Sequence, residues 1–139
     1  MYYQILVPTD CSDENKHSLD VAVRIASLDG GNVCLLHVIE MIADTTFREF
    51  EDFYLKLEAR AETNMNGLVC PHQDSQVKIE RKIVYGDRCR EILRFAEVNK
   101  TDLIVMNSHR IAVENPVQGW GTLSHKIAVL SQCPVMLVK

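Results

Sequence analysis

The sequence predicts an α/β protein, a three-layer sandwich built round a five-stranded parallel sheet. Three observations carry that expectation. Five short apolar runs are distributed over the 139 residues, and helical patterns fill the gaps between them. Alternation of strand and helix is the pattern of a parallel sheet with crossover helices. Runs such as Ile5-Leu6-Val7 and Leu103-Ile104-Val105-Met106 are apolar at every position, as in strands covered on both faces.

The elements follow in order. Tyr3 to Pro8 reads as the first strand. From Asp13 to Ser27, Leu19, Ala22, Val23 and Ala26 form one helical stripe, and Gly30-Gly31 supplies the stop. Asn32 to Val38 is the second strand. From Thr46, the residues Phe47, Phe50, Tyr54, Leu57, Ala61, Met65 and Leu68 recur at steps of three and four, the stripe of a long helix. Thr46 and Glu49 have capping-box spacing at its start. Leu68 to Gln76 is the clearest loop within the domain. Val77 to Val84 alternates apolar and charged residues, as an edge strand with one wet face does. Asp87 is a good N-cap for a helix to Asn99 that turns Ile92, Leu93 and Ala96 inward. Leu103 to Met106 is the fourth strand. A glycine-led helix, Gly121 to Ser131, turns Leu123, Ile127 and Leu130 inward, and Val135 to Val138 closes the sheet.

Composition excludes some partners. Apolar residues make up 47% and charged residues 24%, with a net charge of -4. An acidic chain without a basic stripe is a poor binder of nucleic acid. No apolar run approaches the ~20 residues that span a bilayer, and the N-terminus enters a strand pattern directly, so no membrane partner and a cytoplasmic location are expected. The five cysteines, Cys11, Cys34, Cys70, Cys89 and Cys133, are scattered and odd in number, which fits reduced thiols. No internal repeat, linker or low-complexity tract breaks the chain.

Candidate chemistry gathers at two strand ends. Asp10 lies at the carboxyl end of the first strand, where open α/β sheets bind ligands. Its carboxylate suits ribose hydroxyls or an adenine amino group; it equally suits an Asx turn with Ser12 as helix cap. Asn107-Ser108-His109-Arg110 ends the fourth strand, and a loop joins it to Gly121-Thr122. The N–H groups of Gly121, Thr122 and Leu123 at a helix start favour an anion, with Arg110 adding charge; the alternative is a capped helix after a loop. His109 titrates near neutrality and suits acid–base work, or is a polar loop residue. Cys70-Pro71-His72 offers two metal ligands or only a turn. Cys11 is either a thiolate stabilised by the following helix or a small buried side chain. Trp120, next to Gly121, shields a ligand or anchors the core or an interface. Arg48, Glu49, Glu51 and Asp52 read as a solvated helix face. Neither a Walker A motif nor G-x-G-x-x-G occurs.

Tyr3-Gln4-Ile5-Leu6-Val7-Pro8-Thr9-Asp10-Cys11-Ser12 resembles the opening of universal stress proteins. Leu35-Leu36-His37-Val38 resembles their second strand, and Val84-Tyr85-Gly86-Asp87 with Ile92 and Ala96 their third strand and helix. Asp102 to His109, Gly121-Thr122 and Cys133-Pro134-Val135-Met136-Leu137-Val138 are similar to the family's closing segment. The resemblance covers residues 1–139 as one domain. It implies a flavodoxin- or Rossmann-like sheet in the order 3-2-1-4-5 and a nucleotide cleft between strands one and four. It also implies a homodimer, paired through the last strand. Its implied ligand is ATP or another adenine nucleotide, accompanied by Mg, with no structural metal. Pro8, Thr9 and Asp10 would line the adenosine side, with Val38 at the adenine and Gly86 nearby. Asn107, Ser108, His109 and Arg110, following Met106, would lie along the phosphates with Gly121, Thr122 and Leu123. Family members that bind ATP carry G-x-x-G, nine residues, then G-[ST]. Here Asn107 and Arg110 replace the first two glycines, and ten residues precede Gly121-Thr122. The implied function is a stress-response binding or regulatory module, with no specific reaction and no catalytic set. Two alternatives are a nucleotide-free interaction protein, using its dimer surface and the loop from Ile111 to Gly119, and a weak nucleotide hydrolase or transferase using Asp10 and His109.

Overall fold

Strands β1 (Gln4–Pro8), β2 (Asn32–Ile39), β3 (Ile79–Tyr85), β4 (Leu103–Asn107) and β5 (Val135–Val138) form one sheet in the order β3-β2-β1-β4-β5. Every pairing is parallel. The computed structural model describes residues 1–12, 14–108 and 122–139. Helices α1 (Asn15–Asp29), α2 (Glu51–Val69), α3 (Arg88–Val98) and α4 (Leu123–Leu130) supply the outer layers. Five strands, their parallel sense, their order and the three layers are as expected.

Side-chain alternation along each strand divides the apolar residues between two cores. Ile5, Val7, Val33, Leu35, Leu103 and Val105 face Leu19, Ala22, Ala26, Met65 and Leu68 of α1 and α2. Leu6, Leu36, Val38, Ile104 and Met106 face Ile92, Ala96 and Ile127 of α3 and α4. Each fully buried Leu or Ile stabilises the fold by about 1.5–3 kcal/mol. The chain leaves β1 for β2 in one direction and comes back to β4 on the other side of β1. That reversal opens a crevice beyond the carboxyl ends of β1 and β4.

Local chemistry fixes the helix ends. Gly30 closes α1 in the left-handed region, at φ 70, which glycine adopts without steric cost. Asp87 caps α3 by accepting the Arg90 N–H at 2.9 Å, as its position suggested. Among the described residues, no helix is long and apolar enough to cross a membrane.

Several expectations are corrected. The helix from Thr46 begins as a 3-10 turn over Phe47–Phe50. The Thr46 hydroxyl meets the Glu49 carboxylate at 3.4 Å and makes no cap to backbone. In a 3-10 turn, residues three apart stack on one side, so Phe47 and Phe50 stay exposed while Tyr54, Ala61, Met65 and Leu68 are buried. Part of the Leu68–Gln76 loop is helical: α2 runs to Val69, and a 3-10 turn follows over Cys70–His72. Leu130 is exposed because α4 ends there.

Candidate functional site

Turn chemistry at the end of β1 sets one wall of the crevice. The Thr9 N–H donates to the Leu36 carbonyl at 2.8 Å, which extends the ladder past the strand. The Thr9 hydroxyl accepts the Cys11 N–H at 2.9 Å. Asp10 accepts the Ser12 N–H at 2.8 Å and the Asn15 amide on the same oxygen. Asp10 therefore forms the Asx turn anticipated for it, while Ser12 offers its carbonyl to the Asn15 N–H and Glu14 is the residue at the cap. Partial burial alone would raise the Asp10 pKa, but hydrogen bonds from Ser12 and then Asn15 outweigh it and hold the carboxyl below its ordinary value. The group stays ionised at neutral pH, with its second oxygen free of these bonds.

His37 braces this turn from β2. Its Nδ1 lies 2.8 Å from the Thr9 carbonyl, which can only accept, so Nδ1 carries the proton. Cys11 takes a positive φ of 67 beside Asp10. Burial, and then the Asp10 charge, push its thiol up to about 11. That overturns the activated-thiolate reading, since the thiol stays protonated at neutral pH.

The second wall comes from β4 and α4. Thr122 caps α4 by accepting the His125 N–H at 3.4 Å. The first-turn N–H groups of Leu123 and Ser124 have no intrahelical acceptor and stand at the crevice, where both residues line it. Asn107 sends its amide to the Glu14 carbonyl, joining the end of β4 to the start of α1. The Lys139 ammonium donates to the Ser108 hydroxyl at 3.2 Å, tying the end of β5 to the end of β4.

Between the walls is a cleft of about 170 Å³. Leu36, Val38, Ile92 and Met106 form its apolar floor, and Thr9, Asp10, Asn107, Ser108 and Thr122 form its polar rim. An apolar slot with a few convergent polar groups is the usual form of a small-molecule site. The structure thus brings together Pro8, Thr9, Asp10, Val38, Met106, Asn107, Ser108, Thr122 and Leu123. Gly86 stands apart from the lining; its N–H donates to the Ile39 carbonyl at 3.0 Å. There φ is +146, and an added Cβ would meet the Glu91 side chain at 2.8 Å, so this glycine serves the turn into α3. His109, Arg110 and Gly121, with Trp120 and the loop from Ile111 to Gly119, lie outside the described residues.

Sequence reasoning missed Glu14, Asn15, Leu36, Arg88, Ile92 and Ser124 as cleft residues, and these also line it. Arg88 directly follows the α3 cap, and its Nε lies 3.8 Å from the Glu40 carboxylate. Its position one residue past a strand-to-helix turn was the available signal. Cys70-Pro71-His72 does not gather ligands: His72 pairs with Asp20 at 2.7 Å. Among the described residues no group of three His, Cys, Asp or Glu side chains could hold a metal.

Comparison with known proteins identifies the family and the fold. A model described as the universal stress protein family matches residues 1–139. Universal stress protein YxiE of Bacillus subtilis is 29% identical over the full length of both chains. The solved structure of MJ0577, a universal stress protein of Methanocaldococcus jannaschii, superposes with a TM-score of 0.83 at 30% identity, over 100% of this chain and 96% of that one. A universal stress protein from Archaeoglobus fulgidus, solved in complex with dAMP, shares the fold at a TM-score of 0.71 and 18% identity, over 99% and 98% of the two chains.

Proposed function

This chain belongs to the universal stress protein family, and from that premise we propose that it is a binding or regulatory module holding an adenine nucleotide between β1 and β4. One observation carries the proposal. The cleft joins an apolar slot for a ring to an ionised carboxylate on one rim and, on the other, a helix start whose first N–H groups lack intrahelical acceptors. Val38 and Met106 would hold the adenine, Asp10 the ribose, and Ser108, Thr122 and Leu123 the phosphates. Small-molecule pockets usually measure roughly 300–1,000 Å³, so a ring fills this slot and the phosphates lie along the open mouth. His109, Arg110 and Gly121 would complete the phosphate side, and Gly86 acts through the turn it fixes. The dAMP complex of the Archaeoglobus fulgidus relative supports the ligand class.

Mg would arrive with the phosphates of ATP. Such a cation keeps most of its water and binds mainly through phosphate oxygens, so it needs no dedicated set of protein ligands. No chemical step is assigned to the cleft. The module works as a homodimer through the edge of β5, which among the described residues pairs only with β4. The whole of 1–139 acts as one domain in the cytoplasm.

One observation favours a second reading, a nucleotide-free interaction protein of the same family. The Asn107 amide already holds the Glu14 carbonyl across the cleft mouth, where a motif glycine would leave space. Native mass spectrometry separates the two. A co-purifying adenine nucleotide, or one retained after incubation at millimolar concentration, is the expected result. A bare chain under both conditions would overturn the nucleotide reading.

A further inference from the structure

The segment from Glu40 to Phe53, between β2 and the first turn of α2, plays no part in the cleft floor. We infer that it is a docking surface for a cationic, apolar segment of another polypeptide. Four large apolar side chains, Ile42, Phe47, Phe50 and Phe53, are exposed here by 36% to 49%. The three phenylalanines recur every third residue, so the 3-10 turn and the start of α2 carry them on one side. Tyr54, fully buried, ties the patch together. Its hydroxyl accepts the Ile42 N–H at 2.8 Å. Its ring stacks on Phe47 at 5.6 Å and meets Phe53 at 5.6 Å. Tyr85 braces Phe47 from β3 at 5.5 Å and donates to Glu58 at 2.6 Å.

The surface is therefore built before any partner arrives. The turn preceding it is also closed, by the Thr45 hydroxyl and N–H on the Ile42 carbonyl at 2.6 and 3.3 Å. Contiguous exposed aromatic side chains with a polar rim are characteristic of interaction sites.

Charge specifies the partner. Of the chain's 19 acids and 15 bases, five acids (Glu40, Asp44, Glu49, Glu51, Asp52) and one base (Arg48) fall in residues 40–53. The remainder of the chain has equal numbers of each sign, so these fourteen residues hold its whole net charge of -4. A second copy docked face to face would oppose acid to acid, and an anionic membrane would be repelled. Lysine or arginine flanking apolar side chains complements both the rim and the rings.

The probe is a synthetic amphipathic peptide of leucine and lysine, titrated into the labelled full chain by NMR. Shifts centred on residues 40–53 are expected, with binding weakened at least tenfold by Phe50→Ser combined with Phe53→Ser. Glu51→Lys combined with Asp52→Lys is expected to weaken it similarly, and raised salt to reduce it. Both variants should remain folded by circular dichroism, with only a modest fall in melting midpoint, since Phe53 touches Tyr54 and the two acids begin α2. Equal binding of a leucine–glutamate peptide, shifts centred elsewhere, or affinity indifferent to both variants would each overturn the inference. So would a dimer that the phenylalanine variant splits, or binding to anionic vesicles, since each assigns the surface to a different occupant.

Discussion

The β1 wall of the cleft and the β4 wall are assembled on opposite plans. On the β1 side, Thr9, Asp10, Asn15 and His37 satisfy one another within a single turn and its neighbouring strand. That side is fixed before a ligand comes, with one Asp10 oxygen left over. On the β4 side, the short cap at Thr122 and the long tie from Asn107 to Glu14 connect separate elements. Preorganised groups bind without ordering cost, so the adenosine wall should dominate affinity and the phosphate wall should tune it.

Deepest in that contrast is Met106, which lies under the slot and within the α3/α4 core. Met106→Ala should cost about 2–5 kcal/mol of stability by denaturant titration. A loss below about 1 kcal/mol would show that the floor is not part of the core. Asp10→Ala comes next. It removes a charged acceptor, and such hydrogen bonds contribute about 1.5–3 kcal/mol. Nucleotide affinity should fall by at least tenfold in calorimetry, for AMP and ATP alike. Loss of ATP binding alone would move Asp10 to the phosphate side. Thr122→Ala removes a helix cap, at about 0.5–2 kcal/mol, and should weaken ATP more than AMP.

The smallest effect is on pH. Hydrogen bonds hold the folded Asp10 carboxyl below its ordinary value of 3.8. A depressed carboxyl contributes stability that is present above the unfolded pKa and is lost as pH falls through the folded one. Asp10→Asn should therefore lower stability at neutral pH, converge with the parent in acid, and so flatten the acid limb of the melting profile below about pH 4. An unaltered acid limb would mean that the turn does not favour the ionised form.

The layers of the fold were legible because each strand announced itself by apolar runs and each helix by its stripe. The order of the strands was not: no local pattern encodes which strand pairs with which, and it came from the resemblance to a family. The failures lie where periodicity meets an element's end. Phe47 and Phe50 follow the stripe's spacing but fall on a 3-10 turn, and Leu130 lies where α4 stops. In the cleft, residues adjacent to a strand end were readable, as Asp10 and Asn107 were. Arg88, Ile92 and Ser124 reach it from helix starts that only the assembled sheet brings together. Reading Glu49, Glu51 and Asp52 as a solvated face likewise left out the rings exposed among them.

The central claim is that the β1 side holds the adenosine part and leads the binding. Calorimetric titration of the same preparation with AMP and with ATP tests it directly. The expected result is that both bind, with dissociation constants within about tenfold, a difference of ~1.4 kcal/mol. Binding of ATP without measurable binding of AMP, or of neither, would contradict it.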